Sequence, residues 1–258
     1  MNIRDIAFLL PHGSMRSLFS IVDSHTYRDY QCQRLINESK GYSLKGFDDR
    51  KAIFVHVPKA AGISVCQSLF GNLAGGHSTI KRYMVIFSPV DFNLYFKFTF
   101  VRNPWDRLFS AFNFLKQGGI CNADLFFSHK YLSQYESFND FVIDWVNKEN
   151  IQKYTHFIPQ YQFLCPPFSS NVSVDFIGFF ENLEDDFLFI KDKLNVDVCL
   201  EHSNQTQKKE PLNYMDFYTE ETRGIVGDVY SKDISLLGYN FDSSSLSDQI
   251  SLRKSKVL

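Results

Sequence analysis

Two short segments of the chain combine a turn, a helix start and a cation, which together favour binding of a phosphate group. The first segment, residues 57–64 (VPKAAGIS), contains Lys59, Gly62 and Ser64. Gly62 lets the backbone approach a bound group closely, and the unpaired N–H groups of a helix start attract an anion. The phosphate-loop sequence G-x-x-x-x-G-K-[ST] is absent, because the lysine stands at the start of the turn. Taken alone, the segment is also compatible with an ordinary strand–helix connection.

The second segment, residues 100–110 (FVRNPWDRLFS), places an arginine where a predicted strand ends and a helix begins. There the Arg102 guanidinium can form a forked contact with a phosphate group. Ser110 follows Asn103 by about two helical turns, so it faces the same side. The alternative is a local cap or salt bridge of Arg102 and simple packing of Ser110. Two anion-binding junctions in one chain predict a ligand with two separated anionic ends.

Both segments resemble motifs of the sulfotransferases that use 3′-phosphoadenosine-5′-phosphosulfate (PAPS). FVHVPKAAGIS is similar to their 5′-phosphosulfate loop, and FVRNPWDRLFSAF to their 3′-phosphate motif, with R-N-P-W-D-R-L-x-S-A intact. Three further segments are similar to the carbohydrate (family 2) sulfotransferases: residues 155–165 (THFIPQYQFLC), 175–187 (DFIGFFENLEDDF) and 228–241 (DVYSKDISLLGYNF). The resemblance therefore covers most of the chain, from about residue 51 to residue 241.

The resemblance implies a role for each matching residue. Lys59 would contact the oxygen that bridges phosphate and sulfate, and would stabilise its charge as the bond breaks. Arg102 and Ser110 would hold the 3′-phosphate, which distinguishes PAPS from ordinary adenine nucleotides. The 5′-phosphate would be held by four neighbouring residues: Ala61, Gly62, Ile63 and Ser64.

Two positions depart from the family pattern. The family often has Thr or Cys where this chain has Ala60, and Thr where it has Ile63. These changes remove a side-chain hydroxyl and leave backbone contacts in place, so they affect donor affinity more than donor identity. They are also the best support for an alternative, a PAPS-binding domain with weak or no turnover, which the presence of Lys59, Arg102 and His77 opposes. A kinase on the same fold is a further alternative, opposed by the missing Walker lysine–hydroxyl pair.

Transfer to a hydroxyl also needs a base, and His77 is the first candidate. It follows the flexible Gly75–Gly76 pair, and histidine titrates near neutrality. In related sulfotransferases a histidine between the two PAPS motifs serves as base, which supports His77 over a role as a helix cap or surface residue. His156, in THFIPQ, is the second candidate. His56 falls within a predicted strand, which favours a structural role.

Three charged residues and the absence of a metal motif complete the predicted site. Glu181, at the end of the third predicted strand, either orders the site or is structural. Lys208 and Lys209 either reach the cofactor's phosphate or form a solvated charge pair. The predicted reaction requires no metal, and no metal cluster is apparent in the sequence. We predict in-line transfer of a sulfuryl group from PAPS to a hydroxyl, on a carbohydrate or another alcohol, which leaves 3′,5′-ADP.

Strands and helices alternate along the chain, which predicts an α/β fold with a mainly parallel sheet flanked by helices. The expected architecture resembles that of P-loop kinases. Asn103 and Asn182 are the predicted caps of two helices. The predicted strands are residues 52–57, 95–101 and 174–180, and the predicted helices are 64–71, 104–115, 138–147, 183–194 and 219–237.

Composition limits the class of protein and its partners. The 258 residues include 44% apolar and 22% charged residues, the balance of a globular protein, and the 27 phenylalanines predict a Phe-rich core. We expect an N-terminal arm at 1–50 that packs on a sulfotransferase domain at 51–258. A net charge of −2 provides no global field for nucleic acid or an anionic membrane.

The cysteines and the N-terminal sequence bear on the compartment. Five cysteines without a CxxC pair predict neither a zinc site nor a disulfide framework, and they favour a reducing compartment. No apolar stretch near the start has the length of a membrane span or the flanks of a signal peptide. The expected location is therefore cytoplasmic.

Overall fold

The computed structural model describes residues 3–36, 41–201 and 212–257, with three β-strands and fourteen α-helices in that part of the chain. The strands are β1 (Ala52–Val55), β2 (Phe96–Val101) and β3 (Phe176–Phe179). The helices are α1 (His12–Val22), α2 (Ser24–Gln33), α3 (Lys45–Arg50), α4 (Gly62–Phe70), α5 (Ile80–Ile86), α6 (Pro89–Leu94), α7 (Pro104–Lys116), α8 (Asn122–Phe127), α9 (Phe138–Trp145), α10 (Tyr161–Leu164), α11 (Leu183–Leu194), α12 (Glu220–Val229), α13 (Ser231–Leu237) and α14 (Leu246–Val257). Short 3-10 turns occupy Ile3–Leu9, Asn150–Lys153, Phe180–Asn182 and Tyr214–Phe217, and a π-helical turn occupies Ser128–Leu132.

The three strands form a parallel sheet in the order β1-β2-β3. This arrangement, flanked by helices, confirms the predicted α/β fold. All three strands are shorter than the patterns at 52–57, 95–101 and 174–180 predict, β2 only by its first residue. β1 ends at Val55, whose carbonyl accepts a hydrogen bond from the Thr99 hydroxyl (2.7 Å), and Pro58, which lacks an N–H group, follows shortly after.

Contacts within the chain define two compact units. The first comprises Met1–Val57, Ala61–Val101 and Tyr161–Asn204, and it contains the sheet. Helix α3 contacts β1 and helix α11 contacts β3. The rings of Phe54 and Phe98 stack across β1 and β2 with centroids 5.1 Å apart. Aromatic side chains on neighbouring strands therefore build much of the core of this unit.

The N-terminal segment of the first unit is helical and hydrogen-bonded to α5. The Gln31 side-chain amide donates to the carbonyl of Ile86 (3.0 Å). Arg34 donates to both carboxylate oxygens of Asp48 (2.8 and 2.6 Å) and to Asp91 (3.2 Å). The boundary predicted at residue 50 stays a prediction.

The second unit comprises Pro58–Ala60, Arg102–Gln160 and Gln205–Leu258. Its buried residues are largely aromatic. Rings stack from Phe112 to Phe141 (4.9 Å) and from Phe141 to Trp145 (5.2 Å). The aromatic residues that give the sequence its unusual composition thus fill the interior of this unit.

The predicted starts of α7 and α9 are confirmed, because local capping determines both. The Asn103 side chain accepts a hydrogen bond from the backbone N–H of Trp105 (3.1 Å), and Pro104 occupies the first helical position. Ser137 and Asp140 form a reciprocal capping box at the start of α9.

Two helix predictions are wrong in detail. Asn182 precedes α11 but does not cap it, because its side chain donates to the Asp186 carboxylate instead (2.9 Å). The single helix predicted over 219–237 is divided into α12 and α13 at Tyr230. That side chain is buried, and its hydroxyl donates to the carbonyl of Phe157 (2.7 Å).

Two further findings concern the cysteines and the apolar character of the helices. None of the five cysteines, all of which fall in the described ranges, is in a disulfide bond. Among the helices that the structure describes, none has the length and apolar character that a membrane span requires.

Candidate active site

The turn between β1 and α4 has an unusual backbone. Lys59 (φ 68°) and Ala61 (φ 63°) both adopt left-handed conformations, which residues other than glycine rarely do. Such conformations are concentrated at ligand sites, and turns of this kind point successive N–H groups into a concave surface that suits an anion. The turn predicted from the sequence is therefore present, with two strained positions that the sequence did not reveal.

Helix α4 begins at Gly62, two residues before the predicted start at Ser64. Its first helical hydrogen bond runs from the N–H of Val65 to the carbonyl of Ala61 (3.1 Å). The N–H groups of the three preceding residues thus lie outside the helical hydrogen-bond pattern, and Ala61 has no side chain that could cap them. This helix start can bind an anion through its backbone.

Gly62 is required by a neighbouring side chain. A Cβ atom at this position would lie 1.8 Å from Cδ2 of His56. The His56 imidazole is buried and stacks on Phe54, with centroids 5.6 Å apart and planes 16° apart. His56 follows β1 instead of lying within it, and its ring excludes every residue but glycine from the first position of α4.

His77 is exposed and belongs to the same unit as His56. Its Nδ1 lies 3.4 Å from the carbonyl oxygen of His56, and the two imidazole centroids are 4.3 Å apart at 64°. His77 also lines a cavity of about 350 Å³. The predicted base is therefore accessible and borders a space that a small ligand can enter.

The two glycines before His77 were predicted to provide flexibility, but packing explains them. A Cβ on Gly75 would lie 2.1 Å from the Tyr83 hydroxyl, and one on Gly76 would lie 2.7 Å from the Tyr42 ring. Gly76 also has a φ of 55°, which favours glycine. These contacts fix the path of the loop that carries His77.

Arg102 follows β2 directly, as predicted, and forms the local ion pair that the sequence left open. Its Nε and Nη2 donate to the two carboxylate oxygens of Asp106 (2.6 and 2.8 Å), and Nη1 donates to the carbonyl of Lys59 (3.2 Å). The carboxylate and the carbonyl fix the plane of the guanidinium. Ser110 is half-buried on α7. Contact of Arg102 and Ser110 with a phosphate stays a prediction.

Gln160 holds the backbone of Arg102 from both sides. Its side-chain oxygen accepts from the Arg102 N–H (3.0 Å), and its amide donates to the Arg102 carbonyl (2.8 Å). The Gln160 N–H in turn donates to the Asp233 carboxylate (2.7 Å). Three segments that resemble family motifs, at 100–112, 155–165 and 228–241, are thus joined by hydrogen bonds.

The ammonium group of Lys59 lies over the ring of Phe114, with Nζ 3.9 Å from the centroid. Burial, followed by the positive charge of Arg102, lowers the pKa of Lys59 to about 8, although Asp124 acts in the opposite direction. Lys59 is therefore a cation held in poorly solvated surroundings by an aromatic face.

His156, the second candidate base, is buried in the second unit. Its Nε2 lies 3.3 Å from Oδ1 of Asp124, which also accepts from the Tyr154 hydroxyl (2.6 Å), and Oδ2 of Asp124 accepts from the Ile120 N–H (3.0 Å). Burial, helped by the positive charges of Lys59 and Arg107, lowers the pKa of His156 below its ordinary value, although Asp124 acts in the opposite direction. Burial opposes ionisation of Asp124, but its hydrogen bonds outweigh that effect and hold its pKa below the ordinary value.

Each unit brings a different subset of the predicted residues together. Lys59, Arg102 and His156 lie in the second unit, and Gly62 and His77 in the first. Glu181 lies in the 3-10 turn directly after β3. Lys208 and Lys209 lie outside the described residues. Within the described ranges, no group of three or more His, Cys, Asp or Glu side chains is arranged to hold a metal ion.

Sequence reasoning missed four residues of the candidate site: Tyr42, Phe114, Asp124 and Gln160. It also did not identify Asp106 as the partner of Arg102. Only the Arg102–Asp106 pair had a local signal, since the two residues are four positions apart across the start of a predicted helix. The others lie far in sequence from the groups that they contact, so no spacing pattern indicates them.

A parallel sheet flanked by helices, with two left-handed residues in the turn after its first strand, places the protein in the α/β class. The profile of the sulfotransferase family matches residues 45–240, which is most of the chain. The protein therefore belongs to the sulfotransferase family, as the sequence motifs predicted. No curated protein and no solved structure gave a significant match.

Proposed function

We propose that this sulfotransferase transfers a sulfuryl group from PAPS to a hydroxyl of a carbohydrate. The observation that carries the proposal is the turn at residues 58–61, where Lys59 and Ala61 are left-handed and lead into an uncapped helix start. A phosphate group accepts hydrogen bonds from such N–H groups, and Lys59 supplies a full positive charge within the same turn. The reducing, cytoplasmic location expected from the sequence belongs to the same proposal.

The donor would be held at its two anionic ends. The backbone N–H groups of Gly62, Ile63 and Ser64 would bind the 5′-phosphate. Arg102 and Ser110 would bind the 3′-phosphate, with Asp106 fixing the orientation of the guanidinium. An arginine whose plane is fixed in advance loses less conformational entropy on binding phosphate, which favours donors that carry the 3′-phosphate.

The reaction would be an in-line displacement at sulfur. The acceptor oxygen forms a bond to sulfur as the bond from sulfur to the bridging oxygen breaks, and the electron pair of that bond remains on the phosphate of 3′,5′-ADP. The acceptor proton passes to the imidazole of His77. Lys59 stabilises the negative charge that develops on the bridging oxygen, and its poorly solvated position strengthens that interaction.

A calorimetric titration tests the donor assignment. Arg102→Ala should weaken binding of 3′,5′-ADP far more than binding of 5′-AMP. One charge-assisted hydrogen bond contributes about 1.5–3 kcal/mol, so the difference should exceed roughly tenfold. Arg28→Ala is the matched control, because Arg28 is exposed on α2 and donates only to the carbonyl of Ser24 among the contacts described for it.

Two outcomes would count against the proposal. If Arg102→Ala weakens binding of both nucleotides equally, and a thermal melt shows that the variant is folded, then Arg102 does not bind the 3′-phosphate. If the wild-type protein transfers label from PAPS to no member of a glycan panel, the proposal of a carbohydrate acceptor is wrong.

A further inference from the structure

The cavity beside His77 has a wall from a part of the chain that the family profile does not cover. Tyr30 and Gln33 of α2 line it together with Tyr42, and all three precede the matched residues. Helix α2 is held there by the Gln31 amide on the Ile86 carbonyl (3.0 Å) and by the Leu44 N–H on the Gln33 carbonyl (2.8 Å). This chain therefore builds the cavity partly from helix α2 and from Tyr42, outside the matched residues.

The charge of the cavity is positive. Among the described residues that line it, Arg82 alone carries a permanent charge and none is acidic. The exposed guanidinium of Arg82 lies 5.6 Å from the centroid of the Tyr30 ring and donates to the Ser78 hydroxyl (3.2 Å). An arginine held by these two contacts can present its remaining N–H groups to a carboxylate or sulfate.

The cavity also suits a sugar in size and surface. Its volume of about 350 Å³ falls in the lower part of the range of roughly 300–1,000 Å³ for small-ligand pockets. The rings of Tyr30 and Tyr42 supply aromatic faces on which the C–H groups of a sugar ring can pack, and the Gln33 amide can bond its hydroxyls. The Tyr42 ring is exposed and lies beside Gly76.

We infer that this cavity is the acceptor site, that it takes an acidic sugar bearing a carboxylate or sulfate group, and that Arg82 binds that anion. The inference rests on the proposed function, because His77 at the edge of the cavity would accept the proton of the sugar hydroxyl. Helix α2, through Tyr30 and Gln33, then contributes to the choice of acceptor.

The test compares acceptors that differ only in charge. The panel contains uronic acid oligosaccharides with their carboxyl-reduced counterparts, and sulfated oligosaccharides with their desulfated counterparts. Arg82→Gln should lower kcat/KM for the acidic members by about 10- to 100-fold and for the neutral members by less than about threefold. Lys81→Gln is the matched control, since Lys81 is the preceding residue on α5 and does not line the cavity. Affinity for 3′,5′-ADP should be the same in all three proteins.

A second measurement reports on binding without turnover. Titration of each oligosaccharide into the wild-type protein saturated with 3′,5′-ADP should show tighter binding of the acidic member of each pair, and Arg82→Gln should remove that preference. Turnover that is equal on acidic and neutral sugars, or that falls equally for both in Arg82→Gln, would overturn the acceptor inference and leave the sulfotransfer proposal standing. If no oligosaccharide binds, the inference is wrong, and the nucleotide titration with Arg102→Ala decides the donor separately.

Discussion

His77 and His156 have opposite surroundings. His77 is exposed, borders a cavity and contacts His56. His156 is 7% exposed, and its Nε2 contacts the Asp124 carboxylate. Burial lowers the pKa of His156, so its neutral form is favoured. The comparison shows that a histidine within a family-like motif can be buried and paired with a carboxylate, while one in a less distinctive sequence is exposed beside a cavity.

His156 is linked to Lys59, a predicted catalytic residue, through the ring of Phe114. The His156 ring packs edge-on against Phe114 (5.1 Å), and the Lys59 ammonium lies over the same ring. The positive charge of Lys59 contributes to lowering the pKa of His156, after the larger effect of burial. We therefore propose that His156 and Asp124 position the surroundings of Lys59, and His77 stays the predicted base.

The largest expected effect is that of His77→Ala. Loss of a general base should lower kcat by about 10²–10⁴-fold, while the affinity for 3′,5′-ADP stays unchanged. Wild-type kcat should rise with pH as the base loses its proton, and the variant should lack that rising limb. His156→Gln is the comparison. If His156→Gln abolishes turnover and the rising limb while His77→Ala retains both, His156 is the base.

Lys59→Met should have the next largest effect on rate. Its proposed partner oxygen gains charge only as the bridge breaks, so kcat should fall by about 10²–10³-fold. Above a pH of about 8, wild-type kcat should decline as Lys59 loses its proton, and this decline should be absent from the residual activity of the variant. Lys148→Met, at an exposed position in the second unit, should behave as wild type.

The same variant tests the pKa of Lys59 through stability. The pKa of Lys59 in the folded protein is about 8, below the ordinary 10.5. Between pH 8 and pH 10.5, Lys59 is therefore protonated in the unfolded chain but mostly neutral in the folded protein. Burial of the protonated Lys59 side chain therefore opposes folding at neutral pH. As the pH rises from about 8 to about 10.5, this effect is relieved, and the free energy of unfolding of the wild type should increase. We expect the melting temperature of Lys59→Met at pH 7 to equal or exceed that of the wild type. A marked decrease would show that Lys59 supports the fold.

Asp124→Asn should have the smallest effect on turnover and a clear effect on stability. Because Asp124 is buried and accepts three hydrogen bonds, the variant should unfold more easily by about 1–3 kcal/mol in urea at pH 7. The pKa of Asp124 is lowered in the fold, so its contribution is present above the ordinary aspartate pKa and is lost as the pH falls toward the folded value. The difference between variant and wild type should therefore shrink in acid. Asp144→Asn, exposed on α9, is the control, and a loss of equal size there would contradict the role of Asp124.

Local patterns in the sequence were enough to predict much of the fold. The start of α7 follows from Asn103, Pro104 and Asp106, and that of α9 from Ser137, because capping involves residues within one helical turn. The buried strands follow from short runs of β-branched and aromatic residues. Segments similar to known motifs were enough to indicate the sulfotransferase family.

The tertiary structure decided why particular residues occupy the site. Gly62 is needed because the His56 ring fills the position of a Cβ atom, and Gly76 because Tyr42 packs against it. The contact between His156 and Asp124 joins two distant segments. Such contacts, and the burial that lowers the pKa of Lys59, depend on which distant segments the fold brings together. The spacing of residues along the chain does not indicate how far apart they lie in space.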